Sequence, residues 1–300
     1  MSYLTKIYSP TFHSVKKILK MKNILYATDC SKHDTNTLQY ALMLSDTLKA
    51  NLTVLHIFSL PPIAVKTIRP KKYLSEHAYD EQLLVLKDYC SNNLKDNETD
   101  VVIKYEVRED DSVTNGILSE TAALSPDLLI IGMKDEHTAR GSFTGSIAKA
   151  LIEKVAAPLF IVPSAKSFQK INTLVYATDF EEDDFLAIKK LLNIAKPFDA
   201  IIKVVHITNN DEYAVNDKMA WFKEMLFEKT SYTNMTFEVS INDNIYEGLR
   251  VYIDTVNADM IALLEREQNG FLKRLFHKDL IKKMESKITI PMLSLNAGAL

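Results

Sequence analysis

The tetrapeptide Tyr26-Ala-Thr-Asp29 returns as Tyr176-Ala-Thr-Asp179, and His56-Ile57 returns as His206-Ile207, both at an offset of 150 residues. Two separated motifs repeated at one spacing imply that the stretch between them is repeated too, so the second half must take the fold of the first. A length of 300 residues suits two domains of ordinary size. The spacing is lost towards the end. Pro158 and Pro291 both precede a closing apolar run, but they stand 133 residues apart. The second copy is therefore the shorter, mostly between its second and third strands.

Within each copy, short apolar runs alternate with segments of helical period. In the first, strands are expected at Lys22 to Thr28, Asn51 to Phe58, Val101 to Val107, Asp127 to Met133 and Leu159 to Val162. Helices are expected at Thr35 to Lys49, with Asp34 as N-cap, and at Ser75 to Leu94, Ser112 to Ala123 and Ser146 to Val155. The second copy repeats this with strands at Ile171, Ala200, Met235, Asp259 and Ile290, and helices from Phe185, Tyr213, Tyr246 and Leu272. Such alternation predicts an α/β fold: two tandem doubly wound, mostly parallel five-stranded sheet domains packed as an internal pseudo-dimer. The expected boundaries are an N-terminal extension at 1–20, a first domain at 21–163, a linker at 164–170 and a second domain at 171–296. The extension lacks the continuous apolar stretch of a signal peptide, and Met1 and Met21 are both candidate starts.

Composition narrows the function classes. A net charge of −3 supplies no basic face for nucleic acid, and the bases between Lys66 and Lys72 lack interleaved aromatics. Two cysteines, Cys30 and Cys90, make no disulfide framework, so a reducing, cytoplasmic setting is expected. No apolar run approaches the roughly 18 residues of a membrane span.

Three of the seven glycines fall between Gly132 and Gly145, in a loop that follows the fourth strand and opens into a helix at Ser146. In open α/β sheets, ligands favour the C-terminal ends of strands, where backbone amides meet a helix N-terminus. Gly132, Gly145 and Ser146 are candidate phosphate contacts, with Arg140 and Lys134 adding charge. The same glycines also suit a plain surface turn. Asp29 can accept a hydrogen bond from a ligand or serve as a turn residue. Cys30, His33 and Asp34 have no recognised metal spacing, Cys90 reads as buried, and Glu181-Glu-Asp-Asp184 suits a helix N-terminus. Trp221, Phe222, Met225, Leu226 and Phe227 read as a packing stripe for core or domain interface.

With these residues in place, the region from about Met21 to Leu295 resembles a tandem universal stress protein. The resemblance implies that Asp29 and Ile57 line an adenine site, and that Gly132, Gly145 and Ser146 keep part of the family's G-x-x-G-x9-G-[ST] loop. Asp135 stands at that loop's middle glycine. It implies ATP or AMP as cofactor and, where the Asp135 carboxylate faces the phosphates, a bridging Mg²⁺. In the second copy the glycine position falls to Leu264 or Glu265, and His277-Lys278-Asp279 replaces the closing glycine and hydroxyl, so no standard ATP site is expected there. The resemblance further implies antiparallel pairing of the closing strands, domain against domain within one chain. A homodimer and an unidentified protein partner stay open. The resulting expectation is a stress-associated regulatory or protective protein that binds adenine nucleotide in its first domain without efficient turnover. A non-nucleotide scaffold and, behind it, a nucleotide hydrolase are the alternatives.

Overall fold

A computed structural model of the chain describes residues 21–60, 71–94, 100–133, 143, 145–163, 168–209, 213–266 and 289–299. The expected helix from Leu272 to Met284, Asp135 and Arg140 lie outside them. In the first half the elements run β1 (Asn23–Thr28), α1 (Thr35–Leu48), β2 (Asn51–Phe58), α2 (Lys71–Leu94), β3 (Ile103–Glu109), α3 (Val113–Leu124), β4 (Leu128–Met133), α4 (Gly145–Lys154) and β5 (Leu159–Pro163). In the second they run β6 (Thr173–Ala177), α5 (Glu182–Phe198), β7 (Ile201–Thr208), α6 (Tyr213–Lys229), β8 (Met235–Ile241), α7 (Ile245–Thr255), β9 (Met260–Glu265) and β10 (Met292–Asn296). The alternating α/β pattern stands, with shifted edges. β3 starts and ends two residues later than expected, because strand pairing begins only at Ile103, after half-buried Val101 and exposed Val102. Helix α5 starts earlier, at Glu182, because a capping box between Glu181 and Asp184 closes its first turn.

The strands form one ten-stranded sheet in the order β3-β2-β1-β4-β5-β10-β9-β6-β7-β8. Within each half the pairing is parallel. The halves join where β5 and β10 run antiparallel, with Phe160 opposite Leu293. This covers a strand edge of each half that would otherwise offer unpaired amides and carbonyls to another chain.

Alternation along each strand feeds a core on each side of the sheet. Ile24 and Tyr26 of β1 face one core, with Leu38 of α1 and Ile188 of α5; Leu25 and Ala27 face the other, with Leu151 of α4 and Leu249 of α7. Both cores draw on both halves, Phe160 and Leu293 entering one while Leu159 and Met292 enter the other. The duplication also extends to devices that share no sequence motif. Asp127 Oδ2 accepts the amides of Lys22 and Asn23, and Asp259 Oδ2 accepts those of Asn172 and Thr173. Each carboxylate ties the first strand of its half to the start of the fourth. The packing stripe on α6 is borne out at Phe222 and Leu226, which are buried, but Trp221 is 42% exposed, edge-on to Phe185.

Candidate functional site

In each half the chain leaves β1 or β6 towards one neighbour and β4 or β9 towards the other, so a crevice opens at their C-terminal ends. The repeated Tyr-Ala-Thr-Asp builds its floor. Thr28 Oγ1 accepts the amide of Cys30 (3.0 Å), and Thr178 Oγ1 that of Phe180 (2.8 Å). This bond holds Cys30 and Phe180 at φ of 60° and 55°, a left-handed conformation that side-chain-bearing residues seldom adopt. Tyr26 Oη donates to Asp34 Oδ2 (2.7 Å) and Tyr176 Oη to Asp184 Oδ1 (2.6 Å), so each tyrosine fixes a carboxylate that is only 1% exposed. The His-Ile pair completes the arrangement. His56 Nδ1 donates to the Thr28 carbonyl (2.9 Å) and His206 Nδ1 to that of Thr178 (2.7 Å), which sets the imidazole tautomer in both halves. The Tyr, Thr and His of the repeated motifs therefore have an architectural use in both copies.

Asp34 corrects one expectation. It occupies the N-cap position of α1, but its side chain makes no capping hydrogen bond. The carboxylate turns inward instead, towards Tyr26, whose hydroxyl lies 3.0 Å from that of Tyr89 on α2. Burial raises the Asp34 pKa to about 7; hydrogen bonds from Thr37, Thr28 and Tyr26 oppose the rise, and the nearby Asp29 charge adds to it.

The same carboxylate accounts for Gly132. A Cβ there would fall 2.0 Å from Asp34 Oδ1 and 2.7 Å from Thr37 Oγ1, so internal packing alone demands glycine. Strand register settles the matching residue in the second half. Tyr26 pairs with Ile130 and Tyr176 with Ala262, so Gly132 corresponds to Leu264 and Met133 to Glu265. Leu264 is 3% exposed, and Ala187 stands in the place of Thr37.

The remaining expected residues occupy one end of the sheet. Asp29 follows β1, half-buried, with its Oδ1 accepting the Ser31 amide (2.9 Å). Ile57, 7% exposed near the end of β2, packs beneath Gly116 of α3, as Ile207 packs beneath Gly248 of α7. Gly145, buried, and Ser146, exposed, open α4. Thiol chemistry is disfavoured, since burial pushes the Cys30 thiol well up and that of Cys90 to about 12. A separate cavity of about 950 Å³ lies between α3, the end of α4 and α5, lined by Lys154, Lys189 and Lys190, and is not part of this crevice.

One residue has no counterpart among the expectations. Arg266, directly after β9, is 8% exposed and lies in the second crevice. Its Nη2 is 2.9 Å from Asp184 Oδ1, its Nη1 3.5 Å from Glu181 Oε2 and 3.9 Å from Asp179 Oδ2, and its Nε 3.7 Å from Asp183 Oδ2. Burial works to lower the guanidinium pKa, but Asp184 and Glu181 outweigh it and the net shift is upward. The acidic run at 181–184 therefore serves a buried cation as well as a helix N-terminus. Comparing the halves position by position gives the signal: Ser31 and His33 in the first become Glu181 and Asp183 in the second, and Lys134 becomes Arg266.

A doubly wound half-sheet with a strand-end crevice defines a class of α/β folds, and comparison narrows it. The universal stress protein family model matches residues 20–163, within the first half of the chain. No curated protein matches the chain. Among solved structures, a universal stress protein from Archaeoglobus fulgidus is similar at a TM-score of 0.65 and 11% identity, over 93% of this chain and 98% of the other. A putative universal stress protein from Pseudomonas aeruginosa gives 0.60 and 12%, over 92% and 93%. The cytoplasmic domain of a prokaryotic cation chloride cotransporter gives 0.53 and 12%, over 94% and 98%. At such identities the likeness concerns the fold, which serves more than one role. Among the described residues no helix is long and apolar enough to cross a membrane.

Proposed function

We propose that this chain is a cytoplasmic, stress-associated regulatory or protective protein whose first half binds an adenine nucleotide, ATP or AMP, without efficient turnover. The observation that carries the reading is the gathering of Asp29, Gly132 and the Gly145-Ser146 helix start at one strand-end crevice, within the stretch that matches the family. Asp29 and Ile57 then meet the base, while Ser146 and the first amides of α4 meet phosphate, with Arg140 adding charge. Mg²⁺ joins only as a bridge between phosphate and a carboxylate. Turnover is left out because the described crevice pairs no general base with a nucleophile. Burial also holds Cys30 as a thiol rather than a thiolate nucleophile. The second half acts as structural partner, since Leu264 fills the place of Gly132.

A scaffold without nucleotide is the second reading, and a specific observation favours it. Packing against Asp34 and Thr37 explains Gly132 with no ligand at all. Calorimetric titration of nucleotide-stripped protein with ATP and AMP, with and without Mg²⁺, separates the two. The expected result is saturable binding near one equivalent, abolished in Gly145→Arg and weakened in Asp29→Ala. No heat together with unmoved melting curves would retire the nucleotide reading in favour of the scaffold.

A further inference from the structure

The two crevices are built alike but charged differently. In the first, the residues after β1 run Asp29, Cys30, Ser31, Lys32, His33, Asp34, with two carboxylates; in the second they run Asp179, Phe180, Glu181, Glu182, Asp183, Asp184, and four of those carboxylates surround Arg266. Such a concentration of negative charge repels phosphate and holds a cation. The cation present belongs to the chain itself and is more than nine-tenths buried.

The contacts have the character of a cage rather than a fork. Only Nη2 approaches a carboxylate oxygen closely, at 2.9 Å, while the other three carboxylates stand at 3.5 to 3.9 Å. Nε and Nη2 find no acceptor in hydrogen-bonding alignment, although both are buried. A guanidinium held in this way faces carboxylates with each of its three nitrogens rather than pairing with one of them as a fork.

We infer that the second-half crevice is a guanidinium-binding pocket occupied in cis by Arg266, an internal ligand that keeps this copy of the site closed. The pocket consists of the Asp179, Glu181, Asp183 and Asp184 carboxylates. Any small planar cation of the guanidinium class fits it once the Arg266 side chain is gone. A compact ammonium fits less well, because it cannot spread its charge towards carboxylates on several sides. This inference goes beyond nucleotide binding by the first half and does not depend on it.

Chemical rescue tests it on the full-length chain. Arg266→Ala should lower the melting midpoint by several degrees, since truncation leaves the Asp184 and Asp179 carboxylates, the more buried two of the four, without their cation. Millimolar ethylguanidinium should raise that midpoint saturably in Arg266→Ala and leave the wild type unmoved, with ethylammonium giving little recovery. Equal effects on variant and wild type, or equal rescue by ethylammonium, would overturn the assignment. Should Arg266→Ala fail to fold, adding Glu181→Ser and Asp183→His leaves Asp179 and Asp184 of the four surrounding carboxylates, the counterparts of Asp29 and Asp34, and should restore a folded protein that ignores ethylguanidinium. A triple variant that still fails to fold, or that still responds to the probe, refutes the cage.

Discussion

Replacing Asp34 by asparagine tests the least ordinary electrostatic feature of the first half. The carboxyl lies in a dry site between Tyr26, Thr37 and Gly132, and burial lifts its pKa from 3.8 to about 7. In the unfolded chain it titrates near the ordinary aspartate value, so between roughly pH 4 and 7 the native state holds a proton that the unfolded state has lost. The sign is thus opposite to that of a salt-bridged carboxylate. Native stability is greatest at the acid end of this window and falls as pH rises through the folded-state pKa. At about 1.4 kcal/mol per pH unit, the full loss is about 4 kcal/mol, of which about 2.5 kcal/mol falls between pH 5 and 8. The amide of Asp34→Asn keeps an acceptor for Tyr26 but cannot ionise, so the variant loses this dependence. Urea unfolding of both proteins across pH 5 to 8 measures it, with the wild-type-minus-variant difference cancelling the other titrating groups. Far-UV circular dichroism follows both halves, while the single tryptophan, Trp221 on α6, reports the second half separately. A difference that stays flat, or that grows in favour of wild type as pH rises, would refute the claim that a buried, uncompensated carboxyl sits at this position.

Other tests follow from the same packing. Gly132→Ala places a Cβ against Asp34 and Thr37 and should cost about 1–3 kcal/mol, with Thr37→Ala in the same chain recovering part of it; denaturation midpoints of the single and double variants decide this. Tyr26→Phe removes the donor to Asp34 and leaves the Tyr89 hydroxyl without that contact, at a cost of about 1–3 kcal/mol. Because the lost hydrogen bond had favoured the ionised carboxyl, the stability transition in Tyr26→Phe should also move to higher pH, as the same urea series would show.

The two-fold repetition is what the sequence determined alone. Tyr-Ala-Thr-Asp and His-Ile at one offset, with apolar runs between helical periods, specified an α/β chain built twice, because strand and helix periodicities are local properties written in neighbouring residues. Closing strands were legible too, as short buried runs after Pro158 and Pro291. Asp34 shows where local reading ends. An aspartate before a helix looks the same whether it caps the helix or turns inward, and the choice was made by Tyr26, Tyr89, Thr37 and Gly132, which reach it from β1, α2, α1 and β4. Gly132 carried the opposite ambiguity: a glycine after a strand suits a phosphate, yet the carboxylate beneath it already forbids a side chain. Arg266 is far from its partners along the chain, and only the pairing of β6 with β9 brings the end of one strand beside the acidic turn that follows the other. Charges separated in sequence acquire a shared low-dielectric site only when the sheet closes over them, so the filled second crevice belongs to the tertiary structure.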